Sequence, residues 1–163
     1  MATAILINGP VASGKSTVAR ALAARVPGAV LIEGDDHIPD AAGLSREARW
    51  ALALDGIAAQ LGEALAAGRP AAVAWPLTED AFRQLVATAH DAGGEAVCIT
   101  LAPPLASVLT GRGRNLTPWE SSRIREMYAE GYASRPFSDL VIDGSPTPDE
   151  ATDEIIALLR NRC

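Results

Sequence analysis

Short runs of apolar residues alternate along the chain with longer stretches in which apolar positions recur every three or four residues. The short runs are bounded by glycine, proline or charge, and they predict strands at about residues 3–8, 29–33, 71–75, 95–101 and 139–143. The longer stretches predict helices at about residues 15–26, 46–67, 79–92, 103–110, 118–133 and 148–160. Strands that alternate with helices are typical of an α/β protein in which helices flank a parallel sheet.

The ends of several predicted helices carry residues that favour helix starts and stops. Four hydroxyl residues directly precede predicted helices: Ser45, Thr78, Thr117 and Thr147. A hydroxyl oxygen at such a position accepts a hydrogen bond from a free N–H group of the first turn, so we expect these residues to be N-caps. Gly68 and Gly93 lie where two helices should stop, because glycine tolerates the left-handed conformation that often ends a helix.

A phosphate-binding loop connects the first strand to the first helix. The segment Gly-Pro-Val-Ala-Ser-Gly-Lys-Ser-Thr has the form G-x-x-x-x-G-K-[ST], in which successive backbone N–H groups surround a pyrophosphate. Lys15 adds an ammonium group for the β- and γ-phosphates, and the Ser16 hydroxyl is expected to bind Mg²⁺. The helix that follows directs its positive end at the phosphates. The residues assigned to ATP here are Gly9, Pro10, Val11, Ala12, Ser13, Gly14, Lys15, Ser16 and Thr17.

The composition of the chain limits the classes of binding partner and the location that we expect. The 163 residues carry a net charge of −6 and no basic run, so neither nucleic acid nor an anionic membrane surface is an expected partner. The N-terminus has no secretory signal and no apolar run reaches the ~20 residues of a membrane span, so the cytoplasm is the expected location. Cys98 and Cys163 lack the spacing of a metal site or a disulfide framework. No repeat or linker divides the chain, so we expect a single domain over residues 1–163.

Missing motifs exclude two classes of phosphate-loop protein. A GTPase reads its base with Asn/Thr-Lys-x-Asp, which a chain whose only lysine is Lys15 cannot contain. Motor and transporter ATPases usually carry an acidic residue at the end of a central strand. Here the strand at 71–75 is followed by Pro76-Leu77, and the strand at 95–101 by Ala102-Pro103. Small kinases remain, in which an acid after the second strand serves the acceptor and the metal.

The second strand ends in an acidic segment, Glu33-Gly34-Asp35-Asp36-His37. A carboxylate beside an alcohol orients the hydroxyl and takes its proton as the γ-phosphoryl group departs, and Asp35 is assigned to that role. Three alternative roles stay open for the neighbouring residues Asp36, Glu33 and His37: metal binding through water, substrate contact, or exposure to solvent without a specific role.

A second irregular segment, at about residues 111–119, carries Arg112 and Arg114 between glycines. Such a segment is expected to act as a lid that closes over ATP, neutralises charge on the transferred phosphoryl group and excludes water. The alternative is an exposed loop kept in solution by its arginines. Helical periodicity does not choose among Arg123, Arg125 and Arg135 as further phosphate contacts.

In element order the chain resembles the small-molecule kinases of the nucleoside-monophosphate-kinase-like superfamily: shikimate kinase, gluconate kinase, adenylylsulfate kinase and chloramphenicol phosphotransferase. The segment at 33–38 resembles the acid-x-acid segment of shikimate kinases and the Gly-Asp-x-x-His-Pro segment of gluconate kinases, and both place the substrate-facing carboxylate at Asp35. Arg49-Trp50 is similar to part of the Asp-Arg-x-Pro-Trp-Leu region of gluconate kinases, although Ala48 replaces the Asp and the Pro is absent.

The last strand and the loop after it resemble those of adenylylsulfate kinases. The resemblance implies that residues 144–147, including Ser145 and Pro146, form one wall of the adenine pocket and that Arg112 forms another. It also implies a three-layer P-loop kinase fold, with a five-stranded parallel sheet in the order 2-3-1-4-5 and a short lid.

The segment after the third strand departs from both named kinases. Gluconate kinases carry Cys-Ser-Ala-Leu-Lys there and shikimate kinases a Gly-Gly-Gly turn, whereas this chain has Ala74-Trp75-Pro76-Leu77. Trp75 is either a flat apolar wall for a ring-bearing substrate or an ordinary core residue. Trp50 and Trp119 are expected to be packing residues or anchors of mobile segments.

The expected activity is transfer of the γ-phosphate of MgATP to a hydroxyl of a sugar acid, a shikimate-like alcohol or an antibiotic-like alcohol. The substrate-binding segment is expected at about residues 34–68, and the assigned substrate contacts are Asp35, Asp36, His37, Arg49 and Trp75. One alternative is a nucleotide kinase, for which Arg46 and Arg49 are the nearby cations. A second alternative is a non-catalytic ATP-dependent binding or regulatory protein. The protein is expected to be a monomer or a homodimer.

Overall fold

The computed structural model of the protein describes residues 1–113 and 115–163, apart from the side chain of Arg112. In these ranges the chain forms five strands: β1 (Thr3–Asn8), β2 (Val30–Glu33), β3 (Ala71–Ala74), β4 (Glu95–Ala102) and β5 (Leu140–Asp143). The α-helices are α1 (Lys15–Arg25), α2 (Arg46–Ala66), α3 (Glu79–Asp91), α4 (Leu105–Leu109), α5 (Pro118–Ala129) and α6 (Pro148–Arg162). Short 3-10 turns cover Gly34–His37 and Gly111–Gly113.

All five strands are parallel and lie in the order β2-β3-β1-β4-β5, which confirms the expected topology. The central strand β1 pairs with β3 on one side and with β4 on the other, so that Ile5 lies opposite both Ala72 and Val97. The loop that follows β1 therefore begins at the middle of the carboxyl edge of the sheet, where open α/β sheets bind their ligands.

The sheet is covered on both faces, which explains why its strands are continuous apolar runs. Leu6 and Val73 point to one face and pack with Leu61 of α2 and Leu85 of α3. The alternate residues of β1 point to the other face, where Ile5 and Ile7 pack with Leu22 of α1 and Ile155 of α6. The result is the expected arrangement of three layers.

The predicted caps are present. Ser45, Thr78, Thr117 and Thr147 each accept a hydrogen bond from the backbone N–H three residues later. Gly68 and Gly93 adopt φ values of 72° and 77° just after α2 and α3. These helices end because the residues after the two glycines donate back to the carbonyls of Ala64 and Ala89.

Two helices are shorter than predicted. The helix α5 ends at Ala129 instead of residue 133, because Gly131 adopts a φ of 84° and Tyr132 donates its N–H to the Met127 carbonyl. The helix α4 begins at Leu105, after Pro103 and Pro104, and ends at Leu109. In the part of the chain that the structure describes, no helix is both long enough and apolar enough to cross a membrane.

Candidate active site

A cleft of about 710 Å³ opens at the carboxyl edge of the sheet. Its floor is the phosphate loop from Val11 to Val18. One wall consists of Asp35, Trp50, Ala74, Trp75 and Pro76. The opposite wall and the upper edge consist of Leu101, Pro103, Gly111, Gly113, Ile142, Gly144, Pro146, Pro148 and Ala151. The cleft thus joins the predicted nucleotide and acceptor sites in one cavity.

The phosphate loop depends on unusual backbone conformations. Gly14 adopts a φ of 97°, and a Cβ at Gly9 would lie 2.9 Å from the Leu101 carbonyl oxygen. Glycine is required at both positions, because a side chain would strain the first and collide at the second. Ala12 adopts a φ of 62° in the same loop, a left-handed conformation that is uncommon for alanine. The loop therefore contains backbone strain at the residues that line the cleft.

Lys15 lies at the start of α1 with its ammonium group folded over the loop. Its Nζ donates a hydrogen bond to the Pro10 carbonyl oxygen at 2.8 Å. Burial lowers the pKa of Lys15 from 10.5 to about 8, and the negative charges of Asp35 and Glu33 oppose part of that decrease. A phosphate ligand would favour the charged ammonium form and raise this pKa again.

Ser16 and Glu33 form the contact between the loop and β2. The Ser16 hydroxyl donates to Glu33 Oε2 at 2.8 Å, while the other carboxylate oxygen, Oε1, is buried without a hydrogen-bond partner among the described residues. An orphaned carboxylate oxygen beside a hydroxyl fits a hard cation. The described residues contain no group of three or more His, Cys, Asp or Glu side chains that could hold a metal. Mg²⁺ usually binds one or two carboxylates together with substrate phosphates, so this pair suits it.

Asp35 lies on the 3-10 turn after β2 and lines the cleft, with its side chain exposed. Its carboxylate is the first of the two charges that raise the pKa of Lys15. The turn approaches β3 closely at Gly34, where a Cβ would collide with the Trp75 ring and lie 2.8 Å from the Ala74 carbonyl oxygen. Gly34 therefore allows the acidic turn and the end of β3 to meet at one wall of the cleft.

Two tryptophans form the rest of that wall. The ring centroids of Trp50 and Trp75 are 5.0 Å apart with an interplanar angle of 55°, and both rings line the cleft. Trp50 packs against the core, as expected, and its ring also lines the cleft. Trp119 is 71% exposed, so it is not a packing residue, and its alternative role as an anchor of a mobile segment stays a prediction.

An arginine of α5 supports the tryptophan wall. Arg123 lies 5.8 Å from the centroid of the Trp50 ring, and its side chain is buried. Its guanidinium pairs with Glu126 at 3.1 Å and with Glu130 at 3.2 Å. Among the three arginines that periodicity left open, Arg123 thus contacts Trp50 and two carboxylates, whereas Arg135 donates to the Leu77 carbonyl.

Three predicted substrate contacts lie outside the lining of the cleft: Asp36, His37 and Arg49. His37 hydrogen-bonds Gln60 of α2 at 2.8 Å and packs against Gly56, where a Cβ would lie 2.7 Å from its Nδ1. Asp36 is exposed. The Nε atom of Arg49 is buried, and no described residue accepts a hydrogen bond from it. Their assignment to the substrate stays a prediction.

On the nucleotide side, Gly144 and Pro146 line the cleft, as the expected adenine wall requires, whereas Ser145 is exposed and does not appear among the lining residues described. The two glycines of the predicted lid, Gly111 and Gly113, also line the cleft. Arg114 and the side chain of Arg112 lie outside the described residues, so their predicted contacts with phosphate stay predictions.

Sequence reasoning missed a buried polar network behind the site. Asn8, the last residue of β1, donates to Thr100 Oγ1 at 3.0 Å and to the Tyr132 carbonyl at 3.1 Å. Its Oδ1 accepts from the Leu77 N–H at 2.7 Å. Asn8 thus connects the phosphate loop, the segment after Trp75 and the segment after α5. An amide residue at the end of an otherwise apolar strand was the available signal.

The comparisons with known proteins agree with this geometry. A family model described as an AAA domain matches residues 5–130, which include the phosphate loop, the acidic turn and both tryptophans of the cleft. No curated protein shows significant sequence similarity to the chain.

Several solved structures share the fold. The APS kinase CysC of Mycobacterium tuberculosis, in complex with AMPPNP and APS, is 20% identical with a TM-score of 0.71, and the match covers 98% of each chain. The tunicamycin resistance protein of Deinococcus radiodurans is 21% identical with a TM-score of 0.68, over 98% of this chain and 96% of that one. A gluconokinase of Sinorhizobium meliloti is 22% identical with a TM-score of 0.72, over 98% and 92%.

Proposed function

The chain belongs to the AAA-domain family, and from this premise we propose that it is an ATP-dependent phosphotransferase that phosphorylates a hydroxyl of a small polar molecule. The observation that carries the proposal is the placement of Lys15 and Asp35 in the same cleft. A cation for phosphates and a carboxylate for an acceptor are the two groups that phosphoryl transfer to an alcohol requires. The APS kinase of the same fold holds AMPPNP together with APS, which supports a nucleotide and an acceptor in one cleft.

On the phosphate side, the loop amides and Lys15 hold the β- and γ-phosphates of ATP. Ser16 and Glu33 would hold Mg²⁺, which would supply positive charge to the phosphate oxygens. The ammonium of Lys15 exchanges the Pro10 carbonyl for a phosphate oxygen when ATP enters. Charge that develops on the leaving ADP is stabilised by these preorganised donors.

On the acceptor side, Asp35 accepts a hydrogen bond from the alcohol and orients its oxygen toward the γ-phosphorus. The bond between that oxygen and phosphorus forms as the bond to the β–γ bridging oxygen breaks, and ADP departs with the bridging oxygen. The proton of the alcohol passes to Asp35 and then to water. The products are ADP, a phosphate monoester of the acceptor and one proton.

The chemistry of the acceptor wall favours an alcohol over a nucleotide acceptor. Two aromatic rings and the Asp35 carboxylate line this wall, and no arginine or lysine lies among the described residues on it. Arg46, one of the two cations considered for a nucleotide kinase, is exposed and lies 4.0 Å from Glu47. A phosphate-bearing acceptor would be repelled by Asp35, and no cation among the described residues of this wall offsets that repulsion.

The test is release of ADP from MgATP by the purified protein, with pooled alcohols, sugars, nucleotides and hydroxylated antibiotics. We expect one alcohol pool to stimulate release and Asp35→Asn to reduce that stimulation by about 10²- to 10⁴-fold while ATP affinity is unchanged. The matched control is Asp40→Asn, because Asp40 is an exposed carboxylate of the same segment that lies outside the cleft lining and has no assigned role. Full activity in the Asp35→Asn variant would contradict the assignment. ATP binding without stimulation by any pool would favour a regulatory protein.

A further inference from the structure

A second, smaller cavity of about 200 Å³ adjoins the cleft at the tryptophan wall. Trp50, Trp75 and Pro76 line both cavities, so the rings that face the cleft also face this one. The remaining lining residues come from α2 and from the beginning of α3: Ala51, Leu54, Thr78, Asp80, Ala81 and Gln84. The second cavity therefore extends the acceptor side of the cleft away from the phosphate loop.

The size and the surface of the second cavity suit a single ring. An apolar cavity of about 150 Å³ in a protein is large enough to bind benzene, so about 200 Å³ accommodates one substituted six-membered ring. Leu54 and Ala81 supply apolar contacts, the partly buried Trp50 ring supplies aromatic surface, and the buried Trp75 ring adds only its exposed edge. Aromatic pairs gain stabilisation beyond the burial of their area, so an aromatic ring is favoured over an aliphatic one.

The charge of the second cavity restricts what the ring carries. Asp80 is the one ionised side chain among the described lining residues, and it forms no ion pair with a described residue. The Gln84 amide nitrogen donates to Asp55 at 3.1 Å, so a second carboxylate lies next to the rim. The carboxylates of Glu79 and Asp80 already complement the positive end of α3. An anionic ring would therefore enter against negative charge, and no cation lies among the described lining residues to receive it.

We propose that the second cavity binds an uncharged or cationic ring of the acceptor. The acceptor is then a ring-bearing alcohol, whose ring lies against Trp50 and Trp75 while its hydroxyl reaches Asp35, and not a compact anionic polyol. This inference rests on the proposed function, because it identifies the class of molecule that the same cleft phosphorylates.

Three small probes with the same ring and different charge test the proposal: benzylamine, benzyl alcohol and benzoate. Binding is measured by saturation-transfer NMR and by quenching of tryptophan fluorescence, in the presence of MgATP so that the nucleotide side is filled. We expect benzylamine and benzyl alcohol to bind and benzoate to bind about tenfold more weakly, which corresponds to about 1.4 kcal/mol. Preferential binding of benzoate would overturn the proposal.

A variant that fills the second cavity locates the bound ring. Ala51 lies on the exposed side of α2 and lines the second cavity but not the cleft, so Ala51→Phe should reduce probe binding about tenfold or more. Ala59→Phe is the matched control, because Ala59 is exposed on the same helix and lines neither cavity. Equal melting temperatures of the two variants show that both fold. Unchanged binding in Ala51→Phe would overturn the proposal.

These measurements separate the inference from the proposed function. Probe binding requires no turnover, so a protein that binds the neutral and cationic rings but never releases ADP would support the cavity assignment and count against the kinase. A protein with alcohol-dependent ADP release that Ala51→Phe leaves unchanged for every ring-bearing acceptor would count against the cavity assignment alone.

Discussion

The two sides of the cleft are built in different ways. The phosphate side is one segment of nine consecutive residues, Gly9–Thr17, which uses backbone amides and a single lysine. The proposed acceptor side brings together Asp35, Trp50 and Trp75 from three separate segments and uses side chains. All nucleoside triphosphates carry the same triphosphate group, so a local motif is sufficient to bind it. An acceptor has its own shape and charge, and a pocket for it requires tertiary structure.

The largest expected effect is at the phosphate side. Lys15→Ala removes the only lysine of the chain from the cleft, and we expect the rate of ATP-dependent phosphorylation to fall about 10³-fold, as for other preorganised charges in active sites. The measurement is ADP release under saturating acceptor. Binding of the neutral ring probes to the acceptor side should not change, because their cavity contains no part of the loop. A loss of probe binding would show that the two sides are not independent.

The next effect concerns the connection between the two sides. Asn8→Ala leaves the buried Leu77 N–H without a partner and removes the donor to Thr100, so we expect a loss of about 2–4 kcal/mol in the free energy of unfolding. Urea denaturation measures it. Thr3→Ala, at the opposite end of β1, removes a partly buried hydrogen bond to Glu95 and should cost about 1 kcal/mol or less. Equal losses in the two variants would contradict the role assigned to the network.

A smaller effect is expected at the metal ligands. Glu33→Gln removes a carboxylate charge beside Ser16, and we expect the Mg²⁺ concentration needed for half-maximal activity to rise about 10- to 100-fold. Titration of Mg²⁺ at constant ATP measures the shift. The Asp40→Asn control removes an exposed charge of the same segment, so it should leave the Mg²⁺ requirement nearly unchanged. If both variants required equally more Mg²⁺, the shift would be an effect of net charge and would contradict metal binding by Glu33.

The smallest effect is the titration of Lys15. Since the neutral amine is the reactive form, labelling of Lys15 by reductive methylation should reach its midpoint near pH 8, and mass spectrometry separates it from the N-terminus. Removing the negative charge in Asp35→Asn should lower the midpoint further, whereas ATP should raise it. The pKa of Lys15 is lower in the folded than in the unfolded protein, so the unfolded chain binds more protons between about pH 8 and 10.5. The contribution of Lys15 to the free energy of unfolding therefore rises with pH over that range. A midpoint near 10.5 in the free protein would contradict the burial of this amine.

The sequence was sufficient for features that are local. The phosphate loop is contiguous, and the caps Thr117 and Thr147 are followed three residues later by Glu120 and Glu150, which complete the capping boxes of α5 and α6. The parallel sheet follows from the apolar runs, and its order 2-3-1-4-5 was implied by resemblance and is present.

The acceptor wall required the tertiary structure. Trp50 and Trp75 are 25 positions apart, and no periodicity indicates that their ring centroids are 5.0 Å apart. The sequence also did not indicate that the 3-10 turn directs the His37 ring to Gln60 of α2. The sequence did not indicate which residues Asn8 hydrogen-bonds, because its three partners, Leu77, Thr100 and Tyr132, lie far along the chain.

The most direct test of the proposed function follows the phosphorus itself. Phosphorus-31 NMR of the protein with MgATP and the stimulating alcohol should show the γ-phosphate signal replaced by that of a phosphate monoester, in equal amount to the ADP formed. The same mixture with Asp35→Asn should retain the ATP signals. Release of inorganic phosphate in place of a monoester, or monoester formation at the full rate without the Asp35 carboxylate, would contradict transfer to an alcohol by the groups assigned here.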